Sequence, residues 1–184
     1  MKILILSTSL NPESKSRIMA VRMHEEILSV APDVSVELID LQDYPLPFCD
    51  AATVHDDPNA VRLRKQILES DAILVTTAIY NYNISSSLKN LVELTHSAWS
   101  DKLIGFACAA GGSRSYMSIM SFANSLLLDY RCWVIPRFVY ATTEHFDRGE
   151  LIDDEIHDRL IQLVKTAIRM APAVASSHEA IDTE

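Results

Sequence analysis

Glycine is scarce, with only four in 184 residues. Neither G-x-x-x-x-G-K-[ST] nor G-x-G-x-x-G occurs, which excludes a P-loop NTPase and a standard dinucleotide fingerprint. Cysteine is scarce too: Cys49, Cys108 and Cys132 are odd in number, far apart and in no metal-ligand spacing. They fit reduced thiols in a cytoplasmic protein, not a disulfide framework. Basic residues are outnumbered, 16 Lys and Arg against 25 Asp and Glu, and are scattered along the chain. Neutralising a nucleic-acid backbone needs clustered cations, so no nucleic-acid partner is expected. No apolar run is long enough to span a bilayer, and the run from Met1 to Leu6 is too short for a signal-peptide core, so no membrane association is expected. The histidines, His24, His55, His96, His145, His157 and His178, form no H-x-x-x-H or H-x-H pair, and no metal is expected.

What is present is a hydrophobic fraction of 48%, enough for one folded domain with a sizeable core. Short apolar runs at 2–7, 34–39, 71–77, 102–110 and 132–140 alternate with segments of helical apolar spacing. Those helical segments run over 14–31, from 60 to 67, from 88 to 99, over 115–129 and from 152 to 168. Five strands alternating with five helices predict an α/β fold, a doubly wound five-stranded parallel sheet with helices on both faces. In the strand order 2-1-3-4-5 the topological switch lies between strands 1 and 3. The domain is expected to occupy 1–170, with 171–184 as a flexible tail.

Loops after strands 1, 3 and 4 would line one crevice, and there the sequence turns unusual. After strand 1, Ser9, Asn11, Ser14 and Ser16 place hydroxyls and an amide at a helix N-terminus, where a phosphate can bind. Ser14 or Ser16 could equally serve as the helix cap. After strand 3, Tyr80-Asn81-Tyr82-Asn83 could meet the edge and face of a heterocycle, or form only a turn with rings covering the core. Gly111-Gly112 after strand 4 permits close backbone approach to a ligand, or simply a turn. A phosphoacceptor receiver needs aspartates after strands 1 and 3, where Ser7-Thr8-Ser9 and Thr76-Thr77-Ala78 stand instead.

These loops resemble the NADPH-dependent FMN reductase family of flavodoxin-like proteins. Ser9, Leu10 and Ser14 match the family's first motif, Gly-Ser-Leu-Arg-x-x-Ser-x-Asn, with Ser16 at its Asn. Tyr80-Asn81 and Leu88-Lys89-Asn90 look like its Pro-Glu-Tyr-Asn and Leu-Lys-Asn, and Gly111-Gly112 like its glycine loop. The resemblance in element order runs from Met1 to about Met170. Three departures stand out: Thr8 for glycine, Asn11 for the phosphate-facing arginine, and Ala78-Ile79 for Pro-Glu. Lys15 or Arg17 could replace the missing cation.

The resemblance implies an oxidoreductase that binds FMN and draws electrons from NADPH or NADH. Flavins, quinones, azo compounds or oxidised metals would be its acceptors. The phosphate would lie against Ser9, Asn11, Ser14 and Ser16, and the ring against Ala78, Ile79, Tyr80, Asn81, Gly111 and Gly112. No side chain need act as nucleophile. A homodimer or homotetramer is implied, with Tyr82 and Trp99 as interface aromatics, although Trp99 could instead pack on the sheet. Two other readings stay open: a flavodoxin-like electron carrier, and a binding protein of this fold that has lost flavin.

Overall fold

The computed structural model describes residues 1–181. Its elements follow in the order β1 (Lys2–Ser7), α1 (Lys15–Val30), β2 (Ser35–Asp40), α2 (Pro58–Leu68), β3 (Ala72–Tyr80), β4 (Asn83–Ile84), α3 (Ser86–Thr95) and β5 (Leu103–Ala110). They continue with α4 (Ile119–Tyr130), β6 (Trp133–Val134), β7 (Val139–Thr142), β8 (Phe146–Asp147), β9 (Glu150–Leu151) and α5 (Asp154–Ile181). The central strands are parallel in the order β2-β1-β3-β5, and β6 and β7 both pair with the outer edge of β5. This is the expected 2-1-3-4-5 arrangement with its fifth strand in two pieces. The break falls at 135–138, where Pro136 lacks an N–H and Arg137 takes φ 62°.

Side-chain alternation explains why the central strands read as unbroken apolar runs. Leu4, Leu6, Ile73, Val75 and Phe106 face a core closed by α2, α3 and α4. Ile3, Ile5, Ala72, Leu74 and Ala107 face the opposite core, closed by α1 and α5. A strand buried on both faces has no polar side to alternate with. Gly105 sits where a Cβ would meet Leu74 Cδ2 at 2.8 Å and Leu163 Cδ1 at 2.9 Å, so α5 packs directly on β5.

The C-terminal region corrects the expectation of a tail from 171. The last helix continues through Pro172 to Ile181, with Ala171 and Val174 buried in the α1–α5 core. Pro in a helix interior costs about 3 kcal/mol. Burying Val174 returns roughly 1.5–3 kcal/mol, which offsets much of that cost, and Ala171 is buried beside it. Residues 182–184 of that expected tail lie outside the described residues.

Candidate active site

The carboxyl ends of β1, β3 and β5 meet at the switch point, and the three unusual loops open there. After β1 the chain crosses toward β3: Thr8 donates to the Thr76 carbonyl from both its N–H (3.0 Å) and its Oγ1 (2.9 Å). Thr8 has no positive φ, so its Cβ is accommodated where the family has glycine. Ser9 Oγ accepts from the Asn11 N–H at 3.3 Å, and Asn11 Oδ1 accepts from the Glu13 N–H at 3.0 Å. Ser14 caps α1, its Oγ accepting from the Arg17 N–H at 3.1 Å and lying 2.9 Å from Ser16 Oγ. The cap reading of Ser14 is therefore correct structurally, and the same hydroxyl pair lines the crevice.

Charge divides between the two candidate cations. Arg17 Nε lies 2.6 Å from Oδ2 of the buried Asp40, which ties it to the end of β2. Lys15 lines the crevice and has no ion-pair partner among the described residues.

The loop after β3 is a tight hairpin. β4 folds back antiparallel, pairing Ile79 with Ile84 and Tyr80 with Asn83. Its two turn residues, Asn81 and Tyr82, have φ of 50° and 61°. A two-residue turn with both φ positive matches the right-handed twist of the strands, but a tyrosine there is uncommon. Such strain, of order 1–3 kcal/mol, concentrates at functional sites. Tyr80 and Tyr82 are 52% and 65% exposed, so these rings do not cover the core. Beneath them Ser85 Oγ lies 3.3 Å from both Thr8 Oγ1 and Thr77 Oγ1, and Ser87 donates to the Thr8 carbonyl. These hydroxyls, buried except for the half-buried Ser87, lock the first loop to the start of α3. Sequence reading missed them because serines and threonines give no periodic signal.

The glycine loop is held from below. Tyr140 Oη donates to the Gly112 carbonyl at 2.6 Å, and Ser115 Oγ lies 2.7 Å from the same phenol. A Cβ at Gly111 or Gly112 would meet nothing within 4 Å. The protein's own packing does not call for glycine there; a flat ligand lying against the backbone would.

All the residues expected at the site line two adjoining crevices. One, of about 170 Å³, collects Ser9, Asn11, Ser14, Ser16, Ala78, Ile79, Tyr80 and Gly111. The other, of about 510 Å³, shares Ile79 and adds Asn81, Tyr82, Gly112 and Arg114. Hydroxyls and a lysine lie at one end, and backbone and aromatic surface at the other. This layout fits a ligand with an anionic tail and a planar head. Lys15, Arg114 and Thr143 belong to the lining, although only Lys15 stood out in the sequence.

The family model for NADPH-dependent FMN reductase matches residues 1–147. The chain belongs to that family. An NAD(P)H-dependent FAD/FMN reductase of Geobacillus thermodenitrificans is 30% identical over 175 residues, covering 92% of this chain and 93% of that protein. An Arabidopsis thaliana NADPH:quinone oxidoreductase is 29% identical over 144 residues, 72% of each chain. Among solved structures, an oxidoreductase from Corynebacterium diphtheriae superposes with TM-score 0.77 at 20% identity, covering 95% of this chain and 97% of its own. FerB, a flavoenzyme NAD(P)H:(acceptor) oxidoreductase from Paracoccus denitrificans, gives 0.75 at 18% identity over 94% and 97%. These structures share the flavodoxin-like fold. As a member of the FMN reductase family the protein is an NAD(P)H-dependent oxidoreductase with FMN as its cofactor.

The reductase's thiols stand apart from this chemistry. Burial pushes both Cys108 and Cys132 up to about 12, so neither forms thiolate near neutrality. Cys49 is partly exposed. Under native conditions Ellman's reagent is expected to titrate Cys49 alone, with Cys108 and Cys132 reacting only after denaturant is added. Fast reaction of a second thiol would contradict the packing. The side chains of His55 and His178, two of the six histidines from which no metal was expected, lie outside the described residues.

Proposed function

We propose that this reductase draws electrons from NADPH or NADH and delivers them to a small acceptor, a quinone, azo compound or free flavin. The observation that carries this reading is the convergence of three separate loops on two adjoining crevices, one lined by hydroxyls and a lysine and the other by backbone and aromatic surface. Ser9, Asn11, Ser14 and Ser16, joined by Lys15, would hold the FMN phosphate. The backbone of 78–81 and of Gly111-Gly112 would border the isoalloxazine. FMN held there would supply the hydride chemistry. The protein's part is to bind, orient and exclude water. Tyr140 fixes the glycine loop, the Ser85 hydroxyl network fixes the hairpin, and the exposed face of Tyr82 can stack against an incoming flat substrate.

A homodimer, or a tetramer built from it, is part of the reading. Met117, Met120 and Leu128, on or beside α4, are exposed at 62%, 44% and 76%, an apolar face of the kind that assembly covers. A cytoplasmic location is supported by three unpaired cysteines. Among the described residues, no helix is long and apolar enough to cross a membrane.

The protein loaded with FMN is expected to oxidise NADPH or NADH in the presence of a quinone. Light scattering is expected to give at least twice the 20.6 kDa of one chain. An FMN-loaded protein inert to both nicotinamides, yet reduced by a protein donor, would place it with the electron carriers instead.

A further inference from the structure

Between β6 and β7, where the fifth strand breaks at 135–138, a notch of about 110 Å³ opens against α5. Ile135 and Leu163, each 3% exposed, give it an apolar floor. Arg137 enters from the break, and Arg159, Gln162 and Thr166 enter from α5. Positions 159, 162 and 166 share one helix face at i, i+3 and i+7. No Asp or Glu lines the notch. Arg137 is exposed and Arg159 half-buried, and neither makes a hydrogen bond or an ion pair among the described residues. The chain carries 25 acidic residues against 16 basic ones, so two unpartnered guanidiniums at one acid-free notch are not explained by charge balance. Arg137 also follows Pro136 with φ 62°, a left-handed conformation that a non-glycine residue adopts at a cost. Backbone held in this way concentrates at functional sites.

We infer that this notch binds a tetrahedral oxyanion, a phosphate or sulfate that is free or carried on a small ester. A guanidinium presents a planar fork of N–H donors that meets such an anion two oxygens at a time. Thr166 Oγ1 is committed to the Gln162 carbonyl at 2.7 Å, so the side-chain donors left for the anion are the two guanidiniums and the Gln162 amide. The volume is that of roughly three or four waters at about 30 Å³ each. A phosphoryl group fits inside, and any ester attached to it must lie outside. None of the residues lining this notch lines either crevice assigned to FMN, so the two anion sites are separate.

Calorimetric titration of the FMN-loaded protein with inorganic phosphate tests this, because bound FMN fills the other anion site. One saturable event with a Kd of about 1 mM or tighter is expected, reproduced by sulfate and absent with chloride at matched ionic strength. Arg137→Gly suits the positive φ, so it removes the guanidinium without straining the backbone. It is expected to weaken phosphate about ten- to a hundredfold while Tm stays level or rises. Arg159→Met is expected to weaken phosphate by a similar factor. Arg114→Met, in the larger FMN crevice, should leave the event unchanged. Glycerol phosphate separates the two sources. Affinity equal to that of phosphate assigns the site to a monoester, and affinity at least about tenfold weaker assigns it to the free ion. Absence of a saturable event with both phosphate and sulfate would overturn the inference. So would unchanged affinity in Arg137→Gly and Arg159→Met, or a loss confined to Arg114→Met.

Discussion

Lys15→Met is expected to weaken FMN binding by about ten- to a hundredfold and to leave riboflavin binding unchanged. A hydrogen bond to a charged group contributes roughly 1.5–3 kcal/mol, and each 1.4 kcal/mol is about a decade in Kd. Three positions competed for this role in the sequence, and they differ in the partners they already have. Asn11 is uncharged: its side-chain oxygen accepts from the Glu13 N–H, and its amide NH2 can offer a phosphate only a neutral donor. Arg17 is tied to Asp40, a carboxylate only 8% exposed, and swinging it away would strand that charge. Lys15 has no ion-pair partner among the described residues and lines the same crevice as Ser9, Ser14 and Ser16. A fluorescence titration decides the matter. Equal losses for FMN and riboflavin would mean that the substitution disturbs the loop rather than the phosphate contact. No loss for either would return the role to Arg17.

The choice between Lys15 and Arg17 also marks how far the sequence could be read. The buried strands were legible because runs such as Ile73-Leu74-Val75 are apolar on both faces, and the switch point follows from strand order alone. The hairpin loop was legible as a motif, but its burial was not: only β4 pairing back on β3 turns Tyr80 and Tyr82 outward. The partner of Arg17 comes from the end of β2, which is distant in sequence and adjacent only once β2 pairs with β1. The split between β6 and β7 had a signal, Pro136, inside a run otherwise apolar enough to read as one strand. Thr8 looked like a lost glycine, yet its hydroxyl is one of the bonds that join the first two loops. The β8–β9 hairpin left only a faint signal, Gly149 at its turn with φ 83°, because its two strands are two residues each, too short for any alternation to register.

Trp99→Ala is expected to destabilise the fold by roughly 3–5 kcal/mol, the range for deleting a large buried aromatic. For a domain of this length that corresponds to a fall in Tm of about 6–20 °C. The sequence allowed Trp99 either a place at an interface or a place in the core, and the fold assigns it to the core. Its side chain is 0% exposed, within the cluster that holds Leu88, Leu91 and Phe106. Its Nε1 donates to Thr95 Oγ1 at 2.7 Å, and Thr95 Oγ1 donates to the Leu91 carbonyl at 2.6 Å. Substitution by alanine therefore leaves a cavity and removes a buried bond together. Trp99→Phe refills most of the volume but removes the bond that Thr95 Oγ1 accepts, leaving that hydroxyl only its bond to the Leu91 carbonyl, so it should recover part of the loss but not all. Neither variant should change the oligomeric state, because the residue reaches no surface. Fluorescence gives an independent check, since the chain has two tryptophans and Trp133 is 52% exposed. Removing Trp99 should abolish the blue component of native emission and leave the red component of Trp133. A variant with unchanged Tm and a shifted oligomeric mass would move Trp99 from the core to the subunit boundary.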